Sequence, residues 1–269
     1  MNLLSLVTEY EAITLLTLIV LSFVAGFIDA VVGGGGLIQL PALLISLPNT
    51  PLPTIFGTNK IASLAGTSVS AVQYSKRVKF NYKLLLAIAA CAGVSSFLGA
   101  KMLSYINVNT LKPVILILLI AIAIYTFLKK DLGYSQTRDL SFTKQLAYGS
   151  LIGAFVGFYD GFFGPGTGSF FVLGFVLILG FEFVKASAYS KVINCMTNIS
   201  ALLVFIQQRN YLLELAILLS ICNMTGNLAG TTIALKKGNG FIRTLFLVIV
   251  TLMILRYGFE IFAKSPIQF

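Results

Sequence analysis

Ten apolar segments run through this chain in two sets of five, and the second set repeats the first at a fixed offset of 131 positions. Segments 12–32, 36–47, 57–75, 83–104 and 109–128 are followed, after a polar linker, by 145–163, 168–181, 185–206, 212–235 and 241–263. The alignment needs no gap from Gly26/Gly157 to Tyr125/Arg256. Gly26-Phe27 meets Gly157-Phe158, Asp29 meets Asp160, and Gly33 and Gly35 meet Gly164 and Gly166. Further on, Lys60 meets Lys191, Cys91 meets Cys222, Gly99 meets Gly230 and Lys112 meets Arg243. Any one match is cheap, but all of them at a single offset mark an internal duplication.

Segments of this kind need lipid as their solvent. The chain is 57% hydrophobic and only 10% charged, where a soluble domain carries about 25% charged residues. A globule so poor in charge lacks the polar groups to cover its own surface, which excludes a soluble enzyme, a secreted disulfide scaffold and a disordered protein. A helical crossing needs roughly 20 residues. Segments 36–47 and 168–181 fall short of that and follow glycine-rich breaks, so they read as half-helices or re-entrant segments. Irregular backbone is tolerated at membrane depth only where protein buries it or it lines a watery cavity. The expected fold is an all-α polytopic membrane protein of about eight full transmembrane helices plus short broken segments. Residues 1–128 form repeat 1, 129–144 a cytoplasmic linker and 145–269 repeat 2.

Charge orients the copies. Lys76, Arg77, Lys79 and Lys83 follow the third segment of copy one, whereas the equivalent loop in copy two, with Arg209 and Glu214, is neutral. One segment later the pattern reverses: Tyr105 to Asn109 is uncharged, and Lys236, Lys237 and Arg243 cluster in copy two. Cytoplasmic loops collect Lys and Arg. Both clusters are therefore expected in the cytoplasm, the copies upside down relative to each other, and both termini outside. The excess of 19 basic over 9 acidic residues is then a topology signal, and no nucleic-acid partner is expected. The first apolar stretch lacks the basic flank of a signal peptide and is expected to remain as a membrane helix.

Inverted repeats with interrupted helices are the build of secondary transporters, whose substrate site lies near the midplane at the repeat interface. No Walker A string occurs, so ATP hydrolysis by that route is not expected. Histidine is absent, and the three cysteines, Cys91, Cys195 and Cys222, all lie in apolar stretches without a CxxC pair. Neither a metal site nor a cofactor is expected, nor enzymatic chemistry.

The runs GFIDAVVGGGGLIQLPALL (26–44) with GTNKIAS (57–63), and GFYDGFFGPGTGSFF (157–171) with YSKVINCMTN (189–198), resemble the two signature regions of the TauE/SafE sulfite-exporter family, and within it the YfcA-like membrane transporters. The resemblance covers about residues 12 to 262. It implies a multi-pass protein of the bacterial inner membrane, with about eight helices in two repeats, that moves small anions such as sulfite, sulfonates or other organosulfur compounds.

Four charges stand out inside the apolar runs. Asp29 and Asp160 are repeat-equivalent carboxylates lying within them, and a carboxylate at membrane depth costs several kcal/mol unless paired, protonated or wetted. Each either carries a coupling proton or balances charge, or it caps a glycine turn or pairs with a lysine. Lys60 and Lys191 either neutralise those carboxylates or meet an anionic substrate. Gly33, Gly34, Gly35 and Gly36, and Gly164, Gly166, Thr167 and Gly168, precede the short helices. Glycine there permits close approach of backbone N–H groups, and a helix N-terminus favours negative charge. Two such ends meeting near the midplane would hold an anion; tight packing alone is the other reading. Gln39, Asn59, Ser63, Ser169, Asn194 and Asn198 are the polar groups placed to complete the site. Lys191, Asn194 and Asn198 share one helical face.

Gly149, Gly153, Gly157 and Gly161 repeat every four residues, a ridge for close helix approach. Pro48, Pro51 and Pro53 suggest a stiff, extended connection. Cys195 reads as a small apolar residue more than a reactive thiol. The expected function is secondary transport, as an exporter of small anions by alternating access, coupled to a proton or Na⁺. A passive anion channel is the main rival and a membrane-embedded enzyme a weaker one.

Overall fold

The computed structural model describes residues 11–103 and 138–263, so the expected segment 109–128 and most of the linker 129–144 lie outside the described residues. Those described form eight helices and no strand: α1 (Ala12–Val32), α2 (Gly36–Ser46), α3 (Leu52–Ser75), α4 (Tyr82–Met102), α5 (Phe142–Phe162), α6 (Thr167–Leu177), α7 (Phe183–Gln207) and α8 (Leu213–Ala263). Four are long and apolar enough to cross a membrane: α1, α4, α7 and the Leu213–Val248 part of α8. Helices α3 and α5, with 24 and 21 residues, reach a similar length but carry more polar and small residues. At 11 residues each, α2 and α6 rise about 16 Å. That is near half of the ~30 Å hydrocarbon core, as expected from their short segments.

One boundary differs from the sequence reading. Helix α3 begins at Leu52 rather than at 57, because Pro51 serves as its N-cap and Pro53 sits in its first turn. Proline is tolerated there, since the first N–H groups of a helix have no intrahelical partner to lose. The two expected segments 212–235 and 241–263 fall on either side of a break at Gly238, whose φ of 71° and ψ of −161° are non-helical, so α8 is two helices joined at a kink.

The chief helix pairs cross between the copies: α4 lies along α5 and α1 along α8. At the 131-residue offset these are equivalent pairs. The glycine ridge explains the first. A Cβ on Gly153 would sit 2.8 Å from the Ile88 carbonyl oxygen, and methyls on Gly157 and Gly161 would run into the backbones of Ala92 and Ser96. Gly226 and Gly230 play the same part against Phe23 and Phe27 of α1. Without a hydrophobic force between helices in lipid, such backbone approach supplies the van der Waals contact that holds them.

Helices α3 and α7, also equivalent, lie side by side and run in opposite directions. The start of α3 meets the end of α7, where Leu212 N–H donates to Thr58 Oγ1 at 2.9 Å, and the last turn of α3 shares a cleft with Val184 at the start of α7.

Apolar side chains face outward, including Ile13, Leu16, Val20 and Phe23 on α1 and Met196, Ile199, Leu203 and Ile206 on α7. Polar ones are turned inward, with Ser70, Asn227 and Thr231 fully enclosed. They form a ladder between α8 and copy one. Gln39 Nε2 donates to Ser22 Oγ (3.3 Å), Asn223 Nδ2 to Gln39 Oε1 (2.8 Å) and Asn227 Nδ2 to Asn223 Oδ1 (2.8 Å). Ser70 Oγ donates to Asn227 Oδ1 (2.6 Å) and lies 2.7 Å from Thr231 Oγ1. The equivalent positions in the other seam are Phe170, Gly153, Ala92, Ser96, Ala201 and Ala100, so the duplicated halves have diverged into a polar seam and a tightly packed apolar one.

Candidate functional site

The site grows out of the two helix breaks. Helix α1 ends because Gly33 takes a left-handed φ of 81° and returns its N–H to the Asp29 carbonyl at 2.8 Å, a conformation that costs glycine nothing. Helix α5 ends at Phe162; the N–H groups of Phe163 and Gly164 both turn back to the Tyr159 carbonyl (2.8 and 3.0 Å), and Gly164 and Gly166 have φ of 90° and 79°. The breaks then meet. Gly33 and Gly168 are in backbone contact so close that neither has room for a methyl group. Ser169 latches them, its N–H donating to the Gly33 carbonyl (3.2 Å) and its hydroxyl to the Val32 carbonyl (2.8 Å).

Each break ends beside a carboxylate, and each carboxylate is met by a lysine of the other copy. Lys60 Nζ lies 2.7 Å from Asp160 Oδ2, with both side chains almost wholly enclosed. Lys191 Nζ lies 3.0 Å from Asp29 Oδ2 and also donates to the Asp29 backbone carbonyl. Thr67 Oγ1 adds a third contact, donating to Asp29 Oδ2 at 3.0 Å. Lys191 thus caps the C-terminal end of α1, where exposed carbonyls favour a cation.

Between these groups lies a cavity of about 20 Å³, lined by Asp29, Gly33, Gly36, Asn59, Lys60, Ser63, Thr67, Asp160, Gly164, Gly166, Thr167, Gly168, Asn194 and Asn198, with Leu40, Phe56 and Phe163 closing it. That is room for a single water. Much of the lining is paired at the offset: Asp29 with Asp160, Gly33 with Gly164, Gly36 with Thr167, Ser63 with Asn194 and Thr67 with Asn198. Asn198 Nδ2 donates to Asn194 Oδ1 at 2.7 Å, and Thr167 Oγ1 to the Gly164 carbonyl at 2.7 Å. Asn59, only 4% exposed, has an Oδ1 that is buried without any hydrogen-bond partner. A buried polar atom left so costs about 1–3 kcal/mol.

Several residues singled out by sequence fall elsewhere. Lys191 is absent from the cavity lining, as are Gly34 and Gly35; Gly35 instead faces α1, where a Cβ would lie 2.6 Å from the Ala25 carbonyl oxygen. Gln39 belongs to the polar ladder and Ser169 to the latch. Some N–H groups at the start of the short helices are already used: Leu37 donates to the Gly34 carbonyl, Ile38 to that of Gly35 and Ser169 to that of Gly33. Thr67 joins the site without standing out in its own helix, and its one sequence signal is the offset that pairs it with Asn198. Asn223 and Asn227 are likewise polar groups that the motifs do not mark, and their signal is two amides four residues apart in an apolar run. Cys195 Sγ lies 3.7 Å from Ser68 Oγ, outside the cavity lining. Among the described residues no group of three or more Cys, Asp or Glu side chains is placed to hold a metal ion.

The sulfite exporter TauE/SafE family model matches residues 18–257. A "Probable membrane transporter protein ORF9" of Sinorhizobium is 37% identical over 244 residues, covering 89% of this chain and 90% of its own. The "Probable membrane transporter protein YfcA" of Escherichia coli K12 is 34% identical over 236 residues, covering 86% and 85%. A "Probable membrane transporter protein" of Haemophilus influenzae is 33% identical over 232 residues, covering 86% and 89%. No solved structure matches the chain. With a family model spanning most of its length and relatives aligned nearly end to end, this chain belongs to the TauE/SafE sulfite-exporter family of multi-pass membrane transporters of the bacterial inner membrane.

Proposed function

We propose that this transporter exports small oxyanions, with sulfite and organic sulfonates as the substrate class, by alternating access at the cavity between the two helix breaks. The observation that carries this reading is the cavity itself: a polar chamber at the joint of two broken helices, lined by Lys60 and by the amides of Asn59, Asn194 and Asn198. At about 20 Å³ the cavity has room for a single water, and a sulfur oxyanion enters only when the copies rock apart. Residues 1–128 and 145–269 act as the two rocking repeats, inverted in the membrane, with the linker 129–144 in the cytoplasm and both termini outside. The antiparallel run of α3 and α7 and the crosswise pairing of α1 with α8 and α4 with α5 support that arrangement.

Coupling follows from charge balance. Each buried ammonium already has a carboxylate, so an arriving anion adds an uncompensated negative charge in a medium of low dielectric. A proton on Asp160 removes that charge and frees Lys60 for the anion. Gly33, Gly36, Gly164, Gly166, Thr167, Gly168, Asn194 and Asn198 shape and complete the site, while Asp29 and Lys191 hold it in register.

The test is transport of sulfite, thiosulfate, sulfoacetate and taurine in proteoliposomes under imposed pH and Na⁺ gradients. A pH gradient drives flux in the natural protein, and Asp160→Asn abolishes that drive. Drive by a Na⁺ gradient alone overturns the proton scheme, currents far above carrier turnover overturn alternating access, and failure of every sulfur anion to move overturns the substrate class.

A further inference from the structure

A second cavity lies at one end of the bundle, away from the breaks. It measures about 650 Å³ and is lined by Gln73, Lys76 and Arg77 of α3 and the turn after it, Val184 of α7, and Thr232, Leu235 and Lys236 of α8. Three cations converge on it and its lining holds no carboxylate. Among the described residues none of the three forms a salt bridge. Position near a helix end accounts for each cation singly, since the C-terminal turn favours positive charge. It does not account for their gathering around one acid-free cleft, where like charges raise each other's energy and concentrate counter-ions. Gln73 adds an amide donor, the Thr232 hydroxyl being spent on the Leu228 carbonyl (2.7 Å), and the Arg77 guanidinium offers a planar fork suited to two oxygens of one oxyanion.

The cleft also stands at the end of the polar ladder. Thr232 follows Thr231, which meets Ser70, and Ser70 lies one turn before Gln73 on α3. The outer members of that ladder are therefore continuous along both helices with the walls of the cleft.

We propose that this cleft is an oxyanion-binding site, taking a sulfate-, sulfonate- or phosphate-type group either free in solution or on a phospholipid headgroup. As the mouth of the export pathway it rests on the transport reading above, with this basic end facing the cytoplasm; as a binding site it does not.

The test reads binding without transport. The full chain, with Cys91, Cys195 and Cys222 replaced by alanine and Thr232→Cys added, is placed in nanodiscs and labelled with anionic and cationic methanethiosulfonates of similar size. Relative to its rate with a free thiol in solution, the anionic reagent reacts about tenfold faster than the cationic one, and the triple variant Lys76→Gln/Arg77→Gln/Lys236→Gln loses that preference. Inorganic sulfate slows labelling in phosphatidylcholine discs if the ligand is a free oxyanion. Slowing that appears only with phosphatidylglycerol assigns the site to a headgroup. Equal normalised rates for the two reagents, or no slowing by sulfate or by phosphatidylglycerol, overturn the proposal. Val184→Cys provides an independent reporter in the same cleft if Thr232→Cys does not fold. Normal labelling with no flux of any sulfur anion sinks the substrate class and leaves the binding site standing.

Discussion

Lys60 and Asp160 meet at 2.7 Å although they are 100 residues apart and belong to different copies of the duplication. The equivalent lysine, Lys191, reaches back the other way to Asp29. The two bridges are thus exchanged between the copies, yet they are not alike. Both partners of the first line the cavity, whereas only Asp29 of the second does, and Lys191 also ties the end of α1 through a backbone carbonyl.

That difference separates two kinds of damage. Breaking either buried pair leaves a charge uncompensated, at a cost of about 3–5 kcal/mol. Lys191→Gln is expected to lower thermal stability in detergent while the folded fraction keeps its substrate affinity within about threefold, a shift below 1 kcal/mol. Lys60→Gln is expected to lower both, and Lys60→Gln/Asp160→Asn to regain stability relative to either single variant without regaining transport. Melting curves and substrate titration on the same preparations check this. Equal affinity losses at Lys60 and Lys191 would remove the distinction between them.

Asn59 sets a different balance. Its unpartnered, buried Oδ1 contributes nothing to folding, so Asn59→Ala is expected to melt no lower than the natural protein, apart from a small cavity effect. Substrate binding, in contrast, is expected to weaken about tenfold, the equivalent of one hydrogen bond from the Asn59 amide N–H to the anion at roughly 1.4 kcal/mol. A variant that loses stability and keeps its affinity would show Asn59 to be structural.

The glycines divide by what surrounds them. Gly161→Ala places a methyl against the Ser96 carbonyl, and the α4–α5 pair has to separate to admit it. Gly238→Ala meets nothing within 4 Å and is strained only by its φ of 71° and ψ of −161°, a region adopted almost only by glycine, at about 1–3 kcal/mol. Gly36→Ala, where a Cβ would lie 3.4 Å from Pro165 Cα, is sterically tolerated. Expression as a monodisperse species in detergent is therefore expected to fail for Gly161→Ala and to hold for the other two.

Much of this site is legible in the amino-acid sequence. The glycine breaks, the short helices after them and the four buried charges are all marked by position in a duplicated apolar pattern. The offset also supplies Thr67 as the partner of Asn198. Other features are not legible. Lys191 and Asn194 share a helical face by spacing, yet only Asn194 borders the cavity, because Lys191 is long enough to reach past it to the end of α1. Gln39 reads as a site residue from its place after the first break, and the amides of α8 draw it into the ladder instead.

The sequence by itself determined that lipid surrounds this chain, that its second half repeats the pattern of the first at an offset of 131 positions, and which few charges lie inside its apolar runs. Those are properties of composition and period, which act locally along each helix. Which lysine meets which aspartate, that the two breaks lock Gly33 against Gly168, and that the basic loops of both copies close around one cleft were decided only by tertiary structure. The physical reason is that such contacts depend on how closely the glycine ridges let helices approach and at what depth they register, and no single segment contains that information.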